Sequence, residues 1–150
     1  MIKEIEIDKK REAETVLNLQ IPAYKVEADI IGSDEIPPLK DTVETIQSCE
    51  ETFYGYYLHE ELCGAISVKV TDEEVDIHRL IVHPDHFRKG IAQKLLDFVE
   101  NQFQNRVLKV ATGAKNTPAV QFYEKNGFEK RKEVAVSKEI TLTFFERRNE

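Results

Sequence analysis

Long apolar runs are missing from this 150-residue chain, and none approaches the roughly 20 residues that a membrane-spanning helix needs. Cysteine is scarce. Cys49 and Cys63 lie far apart, with no histidines at metal-ligand spacing, so neither a disulfide framework nor a zinc site is indicated. Two reduced thiols in a cytoplasmic protein fit that usage. Basic residues are outnumbered, 21 against 28 acidic, for a net charge of −7. That balance argues against general nucleic-acid binding, which needs a basic surface. It suits solubility, or a cationic small molecule if acid lies near the site. No internal repeat, low-complexity tract or Gly/Ser linker appears, so one domain over residues 1–150 is expected. With 41% hydrophobic residues the chain is neither disordered nor membrane-embedded. Its first residues, Met1 to Ile7, alternate apolar and charged side chains, which marks a strand rather than a signal peptide.

Periodicity gives an order of elements. Ile2 to Ile7 reads as a strand. Asp8 is placed to cap a helix from Lys9 to Gln20, which Pro22 is expected to end. Residues 21–40, with Pro22, Gly32, Pro37 and Pro38, read as an irregular or partly helical connection, and 41–49 as a second short helix. Thr52 to Leu58, Leu62 to Val70 and Val75 to Val82 read as an antiparallel meander. Apolar residues at Ile91, Leu95, Val99 and Phe103 mark one buried face of a helix over 90–104. A strand over 107–112 follows, then a helix over 118–126 bounded by Pro118 and Gly127. Two strands, 128–136 and 140–146, close the chain. The order predicts an α+β fold: a mixed, mostly antiparallel central sheet of about seven strands, flanked by helices, with one βαβ crossover at its centre.

That crossover carries the most informative stretch, His83-Pro84-Asp85-His86-Phe87-Arg88-Lys89-Gly90-Ile91-Ala92. A strand leads in and a helix leads out. Backbone N–H groups and the positive end of a helix dipole then point at whatever lies in front of the loop, and a phosphate or pyrophosphate suits them. An ordinary strand–loop–helix turn, with Gly90 present for backbone freedom, reads the same way on this stretch alone.

Four features in register resemble the GNAT superfamily of N-acetyltransferases. They are the strand Val75 to Val82 followed by His83-Pro84, the loop Phe87 to Ala92, Asn116 with Ala119, and Gln121-Phe122-Tyr123-Glu124-Lys125-Asn126-Gly127-Phe128. The loop is similar to the family's Q/R-x-x-G-x-G/A pattern, with Phe87 standing where Gln or Arg is usual. The last stretch is similar to its Phe-Tyr-x-x-x-Gly-Phe pattern. The motif match covers residues 75–130.

The resemblance implies an acetyl-CoA-dependent N-acetyltransferase that moves an acetyl group to a primary amine by direct attack in a ternary complex, with no metal. It implies that the backbone of Leu80, Ile81 and Val82 binds the acetyl and pantetheine portions. The amides of Arg88, Lys89, Gly90, Ile91 and Ala92 would hold the pyrophosphate, and Asn116 would bond the pantetheine arm or cap its helix. Tyr123 is the candidate acid for the leaving thiolate; an aromatic packed on the sheet is the plainer alternative. For the base, Asp76, His78 or a water all stand open; alternation puts Asp76 and His78 on one side of their strand. His83 reads as structural. Tyr24, Glu27, Asp34 and the aromatic strand Tyr54 to Tyr57 are expected to border the acceptor cleft. The partner implied is a small-molecule or peptide amine acceptor, with no nucleic acid and no membrane; a homodimer is left open. A non-catalytic acyl-CoA-binding module of the same fold is the alternative reading.

Overall fold

A computed structural model of the chain describes residues 1–149. Its strands are β1 (Ile2–Ile5), β2 (Thr52–Leu58), β3 (Glu61–Val70), β4 (Glu74–Val82), β5 (Arg106–Gly113), β6 (Glu129–Ala135) and β7 (Thr141–Asn149). Its helices are α1 (Lys10–Ile31), α2 (Val43–Ser48), α3 (Ile91–Gln102) and α4 (Thr117–Lys125). The strands form one seven-stranded sheet in the order β1-β2-β3-β4-β5-β7-β6. Every neighbouring pair is antiparallel except β4 and β5, which the crossover through α3 joins in parallel.

Both faces of the sheet are covered. Ile91, Leu95, Leu96 and Val99 of α3 pack with Ile66, Val68, Val75, Ile77, Leu108 and Phe145 on one face. Ala13, Val16, Leu19, Tyr24, Ala28 and Ile31 of α1 pack with Ile5, Ile46, Phe53, Ala65 and Ile81 on the other. No helix among the described residues is long and apolar enough to cross a membrane.

Helix α1 corrects the sequence reading at both ends. Lys9, not Asp8, occupies the cap position, and its side chain makes no capping bond. Pro22 does not end the helix but sits inside it, and the helix runs on to Ile31. An interior proline costs about 3 kcal/mol, because it removes an N–H and crowds the preceding turn. Tertiary packing offsets this. The turns beyond Pro22 bury Tyr24, Ala28 and Ile31 against the sheet, and full burial of one Ile side chain alone contributes about 1.5–3 kcal/mol. Gly32 then stops the helix in the left-handed conformation, at φ 85°, with its N–H donating to the Ala28 carbonyl at 2.8 Å. The continuation matters for function, because residues 23–30 form one wall of the cleft described next.

Candidate active site

The parallel junction at the centre of the sheet is short. β4 and β5 pair at Glu74↔Val107, Val75↔Leu108, Asp76↔Lys109 and Ile77↔Val110, and there the pairing stops. On the other side of β4, Ser67 pairs with Arg79 and Val68 with Ile77, so His78 is the extra residue of a β-bulge. Past the bulge β4 stays with β3 as far as Gly64↔Val82, while β5 stays with β7 as far as Gly113↔Leu142. The two parallel strands therefore separate, and their facing edges have no strand partner. The His83 N–H donates to the Cys63 carbonyl of β3 at 2.8 Å. Successive N–H groups of a strand alternate in direction, so those of Val82 and Leu80 point away from β3, into the opening.

The loop at the end of β4 closes one end of this opening. Pro84–His86 form a single 3-10 turn. Arg88 then adopts φ 65° and Gly90 φ 76°. The left-handed region is disfavoured for a residue with a side chain and is held only where surrounding structure imposes it. A Cβ on Gly90 would meet nothing within 4 Å, so the loop is open at that point. The first intrahelical bond of α3 runs from the Lys94 N–H to the Gly90 carbonyl, at 3.1 Å. The amides ahead of Lys94 thus lack helical partners, and the helix dipole adds positive potential in front of them.

A cleft of about 720 Å³ fills the space between these parts. Its lining comes from α1 (Ala23, Tyr24, Val26, Glu27, Ile30), from the end of β4 (Leu80, Ile81, Val82), from the loop and start of α3, and from α4 with its cap. Of the residues expected at a cofactor, Leu80, Ile81, Val82, Arg88, Gly90, Ile91, Ala92, Asn116 and Tyr123 line it. The Lys89 side chain does not; it reaches back to Nδ1 of His86 at 2.9 Å. Phe87 lines the cleft with 46% of its surface exposed, an apolar ring at the mouth beside Arg88.

Two phenols and one carboxyl meet in the interior of the cleft. Tyr123 is buried at 6% exposure, with its ring against Phe122, Phe128 and Phe145. Burial pushes its phenol well above the ordinary value, and the Glu27 charge adds to the rise. Tyr24 behaves alike: burial dominates, and Glu27 contributes next. Burial also raises the Glu27 carboxyl, against a hydrogen bond from Asn116 that favours its charged form. Asn116 caps α4 as well, its Oδ1 accepting from the Ala119 N–H at 3.3 Å. Both phenols therefore stay protonated at neutral pH, beside a carboxyl whose proton affinity is increased.

Asp76 and His78 come together but not in the cleft. Nε2 of His78 lies 3.4 Å from Oδ2 of Asp76, and its Nδ1 lies 3.5 Å from Oε2 of Glu51; neither Asp76 nor His78 lines the cavity. Asp76 sits in the still-paired part of the junction, opposite Lys109, and the bulge at His78 follows it. Beyond His78 the bulge inverts the alternation of β4, so Ile77 packs on the α3 face while Ile81 packs on the α1 face. Asp34 lines a separate hollow with Ser33 and Leu39. Tyr54 and Tyr56 are buried beneath α3, away from the cleft wall.

Two clusters escape sequence reading altogether. Behind the cleft, Arg79 is 10% exposed; its guanidinium donates to Glu51 and, at 3.0 Å, to Asp41. Ser67 donates to Glu51 at 2.6 Å, and Gln20 of α1 donates to Asp41 at 2.6 Å and to the Pro38 carbonyl at 2.9 Å. This network ties α1 and the segment before α2 to β4. At the other end, Glu61, Cys63 and His86 bring a carboxylate, a thiol and an imidazole within 4.8 Å of one another. Their sequence spacing carries no sign of this.

The chain belongs to the GNAT acetyltransferase family, whose model matches residues 13–128. Among curated proteins it is similar to UPF0157 protein YqkA of Bacillus subtilis strain 168, 42% identical over 134 residues, which is 89% of this chain and 39% of that protein. It is also similar to streptothricin acetyltransferase of Escherichia coli, 31% identical over 97 residues, covering 61% of this chain and 56% of that one. The chain thus spans about two fifths and just over half the lengths of these relatives. Among solved structures, the fold is similar to that of the PaiA N-acetyltransferase of Thermoplasma acidophilum in complex with coenzyme A, with a TM-score of 0.70, 20% identity, and 96% of each chain covered.

Proposed function

We propose that this protein transfers an acetyl group from acetyl-CoA to a primary amine, by direct attack within a ternary complex. One observation carries the reading: the separation of β4 from β5 after Ile77↔Val110, which leaves an open strand edge leading into the Arg88–Ala92 loop. An extended amide-bearing arm ending in a pyrophosphate has the chemistry to fill both. Its amides pair with the edge of Leu80 and Val82, as an added strand would. Its phosphates meet the amides at the start of α3, with Arg88 nearby. Family membership supports the same chemistry, as do the acetyl-transferring and coenzyme A-bound relatives.

Acetyl-CoA supplies an activated acyl group; the residues of the cleft supply the rest. The N–H groups of Leu80 and Val82 hold the acyl end and polarise its carbonyl. Tyr123 carries a proton at neutral pH and stands at the cleft interior, where it can protonate the departing thiolate. Asp76 and His78 lie outside the lining, so either would act as base only through a chain of waters.

A screen of primary amines with acetyl-CoA tests the proposal, read by release of free thiol and by the acetyl mass added to the amine. Thiol release that depends on an amine, with the amine acetylated, is expected. Tight CoA binding with no amine acetylated by any member would contradict enzymatic function and favour an acyl-CoA-binding module.

A further inference from the structure

The cleft wall opposite the loop has an uneven distribution of charge. Ala23, Val26, Glu27 and Ile30 of α1 fall at i, i+3, i+4 and i+7, one face of the helix, and all four line the cavity. That face is apolar apart from Glu27. Among the lining residues described, Glu27 is the sole carboxylate, whereas the basic ones, His86, Arg88 and Lys125, come from the loop and from α4. Glu27 and Tyr123 both line this cleft.

From this geometry we infer that Glu27 is a catalytic residue that receives the acceptor amine and takes its proton, and that the acceptor is a monocationic primary amine on an apolar chain. The inference rests on the acetyl-transfer reading above. The amine enters as an ammonium and pairs with the Glu27 carboxylate. One N–H proton passes to that carboxylate, and the neutral nitrogen attacks the thioester carbonyl. The C–N bond forms and the C–S bond breaks, with the electron pair leaving on sulfur. Tyr123 gives its proton to the thiolate and regains one from the acylated nitrogen, which becomes the neutral amide. The proton held by Glu27 then leaves to water, so the products are amide, free thiol and one released proton. Burial of Glu27 raises its proton affinity, which brings it closer to the pH at which a base is most effective. Ala23, Val26 and Ile30 would line the acceptor chain, and a second cation on that chain would find no second carboxylate.

The test is Glu27→Gln, which keeps the size and a polar end while removing the charge, measured beside the parent protein. Other groups facing Glu27 that titrate or carry charge are Tyr24 on its own helix, Tyr123 on α4, and His86, Arg88 and Lys125 around the cleft. CoA affinity by calorimetry should be unchanged. With an amine that the parent acetylates, kcat/KM should fall roughly 10²-fold or more, and the acidic limb of the parent's pH profile should disappear. Monoamines with apolar chains should outrank polyamines. Equal turnover by Glu27→Gln with the same acidic limb, or a ranking led by polyamines, would overturn the inference while leaving acetyl transfer intact. If the parent acetylates no amine, the catalytic role of Glu27 is overturned together with acetyl transfer; n-hexylamine binding to the CoA complex, if lost in Glu27→Gln, would then support only the seating of an amine on this carboxylate, and equal binding would overturn that as well.

Discussion

Ile77 and Val110 are the last pair in the one parallel junction of the sheet, and the bulge at His78 follows immediately. The order of these two events explains the cleft. The bulge adds a residue to β4, strengthens its local twist and turns it away from β5. A backbone edge with unpaired amides is costly when buried; here it lines a cavity, where a ligand's own amides can satisfy it.

Gly90→Val should weaken CoA binding at least tenfold, which is about 1.4 kcal/mol. The position holds φ 76°, where a β-branched residue is strained, and its side chain would project into the open end of the loop. Stability should drop by about 1–2 kcal/mol, the cost of left-handed backbone for a residue with a Cβ. Calorimetry and thermal melting check both values; unchanged affinity would mean that the loop does not hold the phosphates.

Tyr123→Phe removes one hydroxyl and keeps the ring against Phe128 and Phe145. The expected result is kcat lower by roughly 10²-fold, with CoA affinity nearly constant, because the lost proton is needed only as the thiolate leaves. Affinity lost with kcat kept would reassign the phenol to cofactor positioning.

Arg79→Ala leaves Glu51 and Asp41 without their cation in a largely buried setting. Removing one partner of such a group typically costs about 3–5 kcal/mol. Urea denaturation should show a loss of that order, and a loss under about 1 kcal/mol would show that water reaches the carboxylates.

Glu27→Gln also makes a stability prediction with a definite sign. The native carboxyl has a raised pKa, so the native state holds its proton more tightly than the unfolded chain. Stability of the parent therefore falls as pH rises from the ordinary carboxylate value through the raised one, and stays lower above it. The variant lacks this term. It should melt higher than the parent at neutral pH, with the gap closing as pH falls through that window. A gap independent of pH would contradict a raised pKa.

Much of this fold was legible in the sequence, and the exceptions share a cause. The strand-like runs Thr52 to Leu58, Leu62 to Val70 and Val75 to Val82 located the meander, and the spacing of Ile91, Leu95 and Val99 located α3. Local signals failed where tertiary packing overrode them. Pro22 reads as a stop, yet burial of Tyr24 and Ile31 carries the helix through it. The bulge at His78 has no sequence mark; alternation put Asp76 and His78 on one side of β4, and neither lines the cleft. Without the bulge the direction of Arg79 is unreadable, and its partners Asp41 and Glu51 lie 38 and 28 residues away. The loop over residues 83–92 stood out as a candidate phosphate turn from the strand before it and the helix after it, whereas Asn116 and Tyr123 became candidates through the family resemblance. Glu27 was legible only as a candidate lining residue, because its placement depends on α1 continuing past the proline.

The most direct test of the central claim is an amide NMR titration of the protein with acetyl-CoA. If the separation of β4 and β5 forms the cofactor site, the largest shifts will fall on Leu80, Val82 and residues 88–92, with smaller ones at Asn116 and Tyr123. Shifts concentrated elsewhere, such as on β6 and β7, or no shifts at millimolar acetyl-CoA, would contradict it.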